Sequence, residues 1–144
     1  MRVDLEYMKS FLAVFLESDK AHIDYNDIAS SGLDIHDNDK LSEKFIFHLQ
    51  LILDNRLLGI NTGFAHNLKD LGFHQSISGE TFVGIIPWRL TQKGHDFAST
   101  LNNKEVFVKL KSEFKDAPFQ VIFDGGQKLF QHFMKKKMDS LLAE

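Results

Sequence analysis

Apolar residues recur along this chain in stretches of helical period separated by short, glycine-bearing stretches that alternate. Between residues 4 and 18, Leu5, Met8, Phe11, Leu12, Phe15 and Leu16 fall three and four positions apart, which predicts an amphipathic helix packed by one face. His22 to Tyr25 alternate polar and apolar like a short strand, and Asn26 to Gly32 read as a short helix or turn closed by glycine. The polar segment Asp34 to Lys40 follows, with Asn38 or Asp39 placed to cap the next helix.

That next helix carries the strongest periodic signal, KLSEKFIFHLQLILDNRLL at residues 40 to 58, and it is expected to be continuous. Leu41, Phe45, Leu49, Ile52 and Leu53 line one face, while Phe47, Leu51 and Leu58 make a second apolar strip that needs a cover of its own. Gly59 is expected to end it. Four further glycines follow by position 84, with Thr81 to Val83 and Ile85-Ile86 as strand-like pieces, so a long irregular hairpin is expected with Trp88-Arg89-Leu90 as its returning strand.

Thr91 is placed to cap a helix from Gln92 to about Leu101 that buries Phe97, Ala98 and Leu101. Asn102-Asn103 stop it and open another, residues 104 to 115, on Val106, Phe107, Leu110 and Phe114. Asp116 and Pro118 mark a last start. From Phe119 the apolar phase then runs unbroken to Leu141 through Gly125-Gly126, whose combined helix-propensity cost is roughly 2 kcal/mol. A close helix contact at Gly126 would offset that cost.

Length and composition narrow the class. At 144 residues, 43% hydrophobic and 26% charged, the chain suits one ordinary folded domain. Fourteen Phe against two Tyr and one Trp point to a core or apolar interface built from rings without a polar handle. Absence of Cys removes thiolate chemistry and disulfides and suits a reducing compartment, so a cytoplasmic location is expected. The apolar run Phe11 to Leu16 is too short to span a bilayer, and Asp4 and Glu6 spoil a signal-peptide reading, so no membrane partner is expected.

Net charge is −3, unlike a non-specific nucleic-acid coat. Its distribution is polarised: residues 1 to 87 carry 7 basic against 13 acidic side chains, a balance of −6, and residues 88 to 144 carry 10 against 7, a balance of +3.

The order helix, strand, short helix, long helix ending in Leu-Leu-Gly, hairpin, then Arg-Leu-Thr-x-x-Gly-His resembles a winged helix-turn-helix. Arg89-Leu90-Thr91, Gly94-His95-Asp96-Phe97, Val106 and Lys109 to Lys111 resemble domain-of-unknown-function family 2513, a bacterial and prophage-associated family. Gln92 stands where that pattern usually has Trp, Asp96 where it has Glu, and Phe107 where it has a second Trp. The resemblance implies a mainly α fold with a small β-hairpin: a winged-helix domain over residues 1–101 and a C-terminal helical extension over 102–144 packed on it. The family brings no established activity.

Candidate chemistry is sparse. The seven His, at 22, 36, 48, 66, 74, 95 and 132, include no HxH, HxxxH or HExxH spacing, so neither metal nor cofactor is expected. His95 beside Asp96 lacks a nucleophile, and a structural role pinning the helix start to the wing is the expectation. Gly125-Gly126-Gln127-Lys128 lacks the spacing of a phosphate loop. Lys135-Lys136-Lys137 suits a helix C-terminus, where cations offset the dipole.

Two non-enzymatic functions stay open. As a DNA-binding regulator in a phage or mobile-element context, the chain would lay its long helix in the major groove of duplex DNA. Lys40, Ser42, Lys44 and His48 would then face DNA, with Lys69, Arg89 and Lys93 on phosphates. As a protein-interaction module, such as a phage-encoded inhibitor or adaptor, it would dock through the apolar strip of Phe47 and Leu51. Residues 36 to 60 hold four acids and three bases, which favours the second; the usual employment of the fold favours the first, and DNA binding is the narrow expectation. Phe119, Phe123, Gly126, Phe130 and Phe133 are the expected contact of a homodimer, the alternative being that this stripe folds back on Leu5, Phe11 and Phe15.

Overall fold

The computed structural model describes residues 1–143, so Glu144 of the C-terminal extension lies outside the described residues. Among the described residues it is mainly α, with six α-helices and three small antiparallel sheets. Helix α1, Leu5–Glu17, starts where Asp4 accepts a hydrogen bond from the Tyr7 amide, and it buries Leu5, Tyr7, Met8, Phe11 and Leu12 as its spacing requires. Ile23 makes a single antiparallel bridge to Trp88, with reciprocal backbone bonds of 2.9 and 2.6 Å. Helix α2, Tyr25–Ala29, follows behind a reciprocal capping box between Asp24 and Asp27.

The continuous helix expected over residues 40–58 is shorter at both ends. Strands β1, His36–Asp37, and β2, Lys40–Leu41, form a hairpin whose turn places Asn38 at φ 58°, a left-handed conformation that Asn tolerates. Asn38 and Asp39 are therefore turn residues, and Ser42 caps helix α3, Glu43–Asp54, by accepting from the Phe45 amide. At the far end the Arg56 amide donates to Leu53 O and the Leu57 amide to Ile52 O, with Arg56 at φ 55°. That double closure is a Schellman motif. It ends the helix several residues before Gly59 and leads through fully buried Leu57 into strand β3, Leu58–Ile60, whose Leu58 is also fully buried.

Strand β3 pairs antiparallel with β4, Gly63–Phe64, and with β7, Trp88–Leu90. The long connection between β3 and β7 also holds a single 3₁₀ turn, Lys69–Leu71, and a hairpin of β5, Phe73–Gln75, with β6, Thr81–Val83. Ile85 and Ile86 lie outside any strand.

The stretch that follows is framework. Trp88 is fully buried and its indole N–H donates to Leu71 O at 2.9 Å. Thr91 caps helix α4, Gln92–Asn102: its hydroxyl accepts from the Gly94 amide at 3.0 Å and donates to Arg56 O at 2.7 Å. A Cβ at Gly94 would sit 2.0 Å from Leu57 O, so only glycine lets α4 start this close to the exit of α3. His95 is exposed and makes no hydrogen bond to β7 or to the connection before it, so the pinning role expected of it falls to Thr91 and Gly94.

Asn103 caps helix α5, Lys104–Glu113, as expected, whereas helix α6, Phe119–Leu142, begins at Pro118 with no side-chain cap from Asp116. Helix α6 passes unbroken through both glycines. Phe119 and Phe123 pack on Phe97 of α4, with ring centroids 5.6 and 5.0 Å away, and a Cβ at Gly126 would lie 3.2 Å from both Leu110 and Thr100. Close contact at Gly126 is thus made, with α4 and α5 of the same chain. One cluster of buried apolar residues runs from Leu5 to Phe123.

Candidate functional site

The residues expected to face DNA do not form one surface. Ser42 is buried by its capping bond. His48 is fully buried on the face of α3 that meets α1: its Nε2 accepts from the Asp4 amide at 2.9 Å, and its Nδ1 lies 2.7 Å from Lys44 O. Since a carbonyl accepts only, Nδ1 carries the proton and the ring is neutral. Burial pushes the His48 pKa below its ordinary value, against the smaller upward pull of the Lys44 carbonyl and Asp4.

Lys44 is also occupied. Its Nζ lies 2.8 Å from Asp4 Oδ2 and 5.1 Å from the centre of the Tyr7 ring. The bond to Lys44 holds the Asp4 carboxyl below its ordinary pKa, helped by the Tyr7 amide. Arg89 turns inward, its Nε donating to Ile60 O at 3.2 Å and Nη1 to Leu90 O at 3.4 Å, and packs where Gly59 leaves room. Lys93 Nζ sits 4.7 Å over the Phe123 ring. Of the proposed cations only Lys40 and Lys69 stand exposed without such a partner among the described residues, and they lie on separate elements.

What α3 presents outward is different. Glu43, Phe47, Gln50 and Asp54 follow one another at helical spacing, with Leu51 beside them. Glu43, Gln50 and Asp54 are exposed, and Phe47 and Leu51 are half-buried. The helix thus offers two acids and a modest apolar strip. Leu58, the expected third member of that strip, is in the core.

The stripe expected to make a dimer is partly consumed. Phe123 and Gly126 are buried against α4 and α5, while Phe119, Phe130 and Phe133 are half-buried. Beyond them the same stripe continues uncovered through Met134, Met138 and Leu141.

One feature escaped the sequence pattern. A cleft of about 710 Å³ opens between the β1–β2 and β5–β6 hairpins, bordered by Lys40, Leu41, Glu43, Ile46 and the segment from Ser78 to Val83. Phe82, which lines it, and neighbouring Ile77 are exposed apolar side chains, at 54% and 110% of full exposure. Residues Thr81 to Val83 read as strand-like in the sequence, yet nothing in them marks which edge stays unpaired.

Among the described residues no three His, Asp or Glu side chains gather as a metal site requires, and no helix is long and apolar enough to cross a membrane. In comparison with known proteins, no family model, no curated protein and no solved structure matches the chain.

Proposed function

We propose that this chain is a non-enzymatic protein-interaction module built on a winged-helix core. The winged-helix reading is supported by the order of elements: α1, the Ile23 bridge, α2, α3, then β3 and β7 paired around a long wing, with Ile23, β7 and β3 forming an antiparallel set. The likeness of residues 89 to 97 to family 2513 belongs to the same proposal.

The choice of a protein over duplex DNA is carried by the outward face of α3. A reading helix meets base edges through its first turns and phosphates through free cations around it. Here the first turn offers Glu43, the adjacent Lys44 is held by Asp4, and Arg89 and Lys93 are engaged within the chain. An acidic strip with Phe47 and Leu51 on it repels a polyanion and suits an apolar, basic protein surface.

Gel-shift titration with genomic duplex fragments at about 50 mM salt tests the choice, because a DNA reader would show its strongest complex there. No salt-sensitive complex is expected. A complex weakened by Lys40→Glu and Lys69→Glu would overturn the protein-binding reading.

The homodimer is kept in a narrower form. Its contact would lie on the uncovered end of the α6 stripe, at Phe130, Phe133, Met134, Met138 and Leu141, since Phe123 and Gly126 are already buried. Light scattering at micromolar concentration is expected to give a dimer mass that Met138→Asp reduces to a monomer; a monomer mass in the parent chain ends this part of the proposal.

A further inference from the structure

The cleft between the two hairpins is bordered by strand edges, and the hydrogen-bond pattern says which backbone groups are free. In β5–β6 the register pairs Phe73 with Val83, His74 with Phe82 and Gln75 with Thr81. Just outside it, Gly84 N donates to Gly72 O and Ser76 N to Glu80 O, each at 2.7 Å. Bonded pairs alternate with non-bonded ones in an antiparallel ladder. His74 and Phe82 are therefore the bonded pair between them, and the amides and carbonyls of Thr81 and Val83 point away from β5. Phe73 obeys the same alternation on the opposite side, where its N–H turns outward to Leu68 O at 3.1 Å.

The same logic applies to β1–β2. Ser42 N donates to Ile35 O at 2.9 Å, one step beyond the His36–Leu41 pair, so the Leu41 amide and carbonyl also point outward. No backbone or side-chain partner is made by the amides of Leu41, Thr81 or Val83 among the described residues.

Both free edges border the cleft. Asp39, Lys40 and Leu41 line it consecutively, and so do Thr81, Phe82 and Val83. Side chains on the face of a strand alternate, so consecutive lining residues mark an edge. An unpaired edge is a template for another extended backbone. In place of the covers that usually blunt an edge, this one has an open cleft.

We propose that the cleft binds an extended peptide from a partner protein, added as a strand along β6 and bonded to the backbone of Thr81 and Val83. This rests on the protein-binding reading and assigns it a second surface, next to α3. Side-chain preference follows from the walls. Leu41, Ile46 and Val83 are half-buried apolar residues, while Asp39, Glu43 and Glu80 outnumber Lys40 around the rim. The fitting occupant alternates apolar with basic residues, the apolar ones facing inward.

The test is selection of random heptapeptides on a display library against the full chain, followed by synthesis of the enriched peptides. Enrichment of sequences alternating apolar and basic residues is expected. N-methylation of the alternate peptide amides that face β6 should weaken binding by roughly tenfold or more, since each backbone bond lost is worth about 1 kcal/mol. Thr81→Pro, which removes one amide already unpaired within the fold, should weaken binding about fivefold with the melting temperature unchanged. Amide shifts in the complex should centre on Thr81 and Val83.

No enrichment, or binding indifferent to N-methylation, would overturn the cleft proposal. Shifts confined to Phe47, Gln50 and Leu51 would also overturn it while leaving the protein-binding reading in place. A salt-sensitive duplex complex in the gel-shift experiment would instead remove the reading beneath it. Self-association abolished by Thr81→Pro would make the occupant a second copy and refute a foreign peptide.

Discussion

Helix α3 has closed seams on its inner side and an open cleft at its start. On the inner side, His48 joins it to the N-terminus of α1, and its exit at Arg56 and Leu57 is locked to Thr91 and Gly94 of α4. No buried side-chain nitrogen or oxygen lacks a partner among the described residues. At the start of the helix, strands β2 and β6 leave backbone groups unpaired beside exposed Ile77 and Phe82. The difference separates residues that hold the fold from residues free to bind. A polar residue whose hydrogen bonds all close inside the chain has little left for a ligand, whatever its chemical type promises.

The hardest blow to the closed side is Gly94→Ala. The added Cβ would lie 2.0 Å from Leu57 O and 2.9 Å from its carbonyl carbon, so backbone must move. A loss of about 3 kcal/mol or more in denaturant unfolding is expected. A loss under about 1 kcal/mol would mean that this seam has slack and that the contrast with the cleft is overdrawn.

His48→Ala comes next. It leaves the Asp4 amide and the Lys44 carbonyl without their partner and opens a void beneath Tyr7, for an expected cost of about 2 to 4 kcal/mol. A gel-shift or partner-binding defect in His48→Ala at temperatures where it stays folded would restore a direct binding role to this residue.

His48 also fixes a pH dependence. The ordinary pKa of 6.5 describes the unfolded chain, and the folded value is lower because burial disfavours the charged ring. Between those two values the unfolded chain binds more protons, so stability is complete above about pH 7 and falls as pH drops through 6.5 toward the folded value. The slope contributed by one such residue cannot exceed about 1.4 kcal/mol per pH unit. Asp4 behaves oppositely in origin and later in order: its folded pKa is depressed below 3.8, so its contribution holds above that value and is lost as pH falls further. Urea midpoints from pH 8 to pH 5 should show the first step in the parent chain and lose it in His48→Gln.

These seams also explain what the sequence could and could not show. Period and caps read correctly wherever one local rule decided the outcome: Thr91 and Asn103 cap as expected, and Phe97, Leu101, Val106 and Leu110 are buried. The long helix was overextended because Lys40-Leu41 and Leu57-Leu58 share its apolar phase. What stops it is a hairpin turn at Asn38, a residue type that suits a helix cap as well as a left-handed turn, and a left-handed Arg56, which its residue type does not announce. Lys44, His48, Arg89 and Lys93 looked like a nucleic-acid surface because composition records which groups exist. Their engagement with Asp4, backbone carbonyls and Phe123 depends on contacts between residues as far as 44 positions apart, which no local pattern carries. Free strand edges are invisible for the same reason, since pairing is a property of two segments.

The smallest predicted effect separates the two lysines nearest the start of α3. Lys44 is paired with Asp4 but both side chains keep about two-fifths of their exposure, 41% and 39%, so water screens the pair. Lys44→Ala should therefore cost at most about 1 kcal/mol, including its contact over the Tyr7 ring. Lys40 makes no ion pair among the described residues, and Lys40→Ala should leave stability unchanged within about 0.5 kcal/mol. The two should differ in the other direction for binding. Removing Lys40 takes the one cation from the rim of the cleft and should tighten a basic peptide modestly, by a few-fold, with an on-rate that becomes more sensitive to salt. Lys44→Ala should change peptide affinity less than Lys40→Ala, because Lys44 is spent on Asp4. Calorimetry on both variants checks the pair, and a larger affinity change in Lys44→Ala would place that side chain on the open side of the comparison.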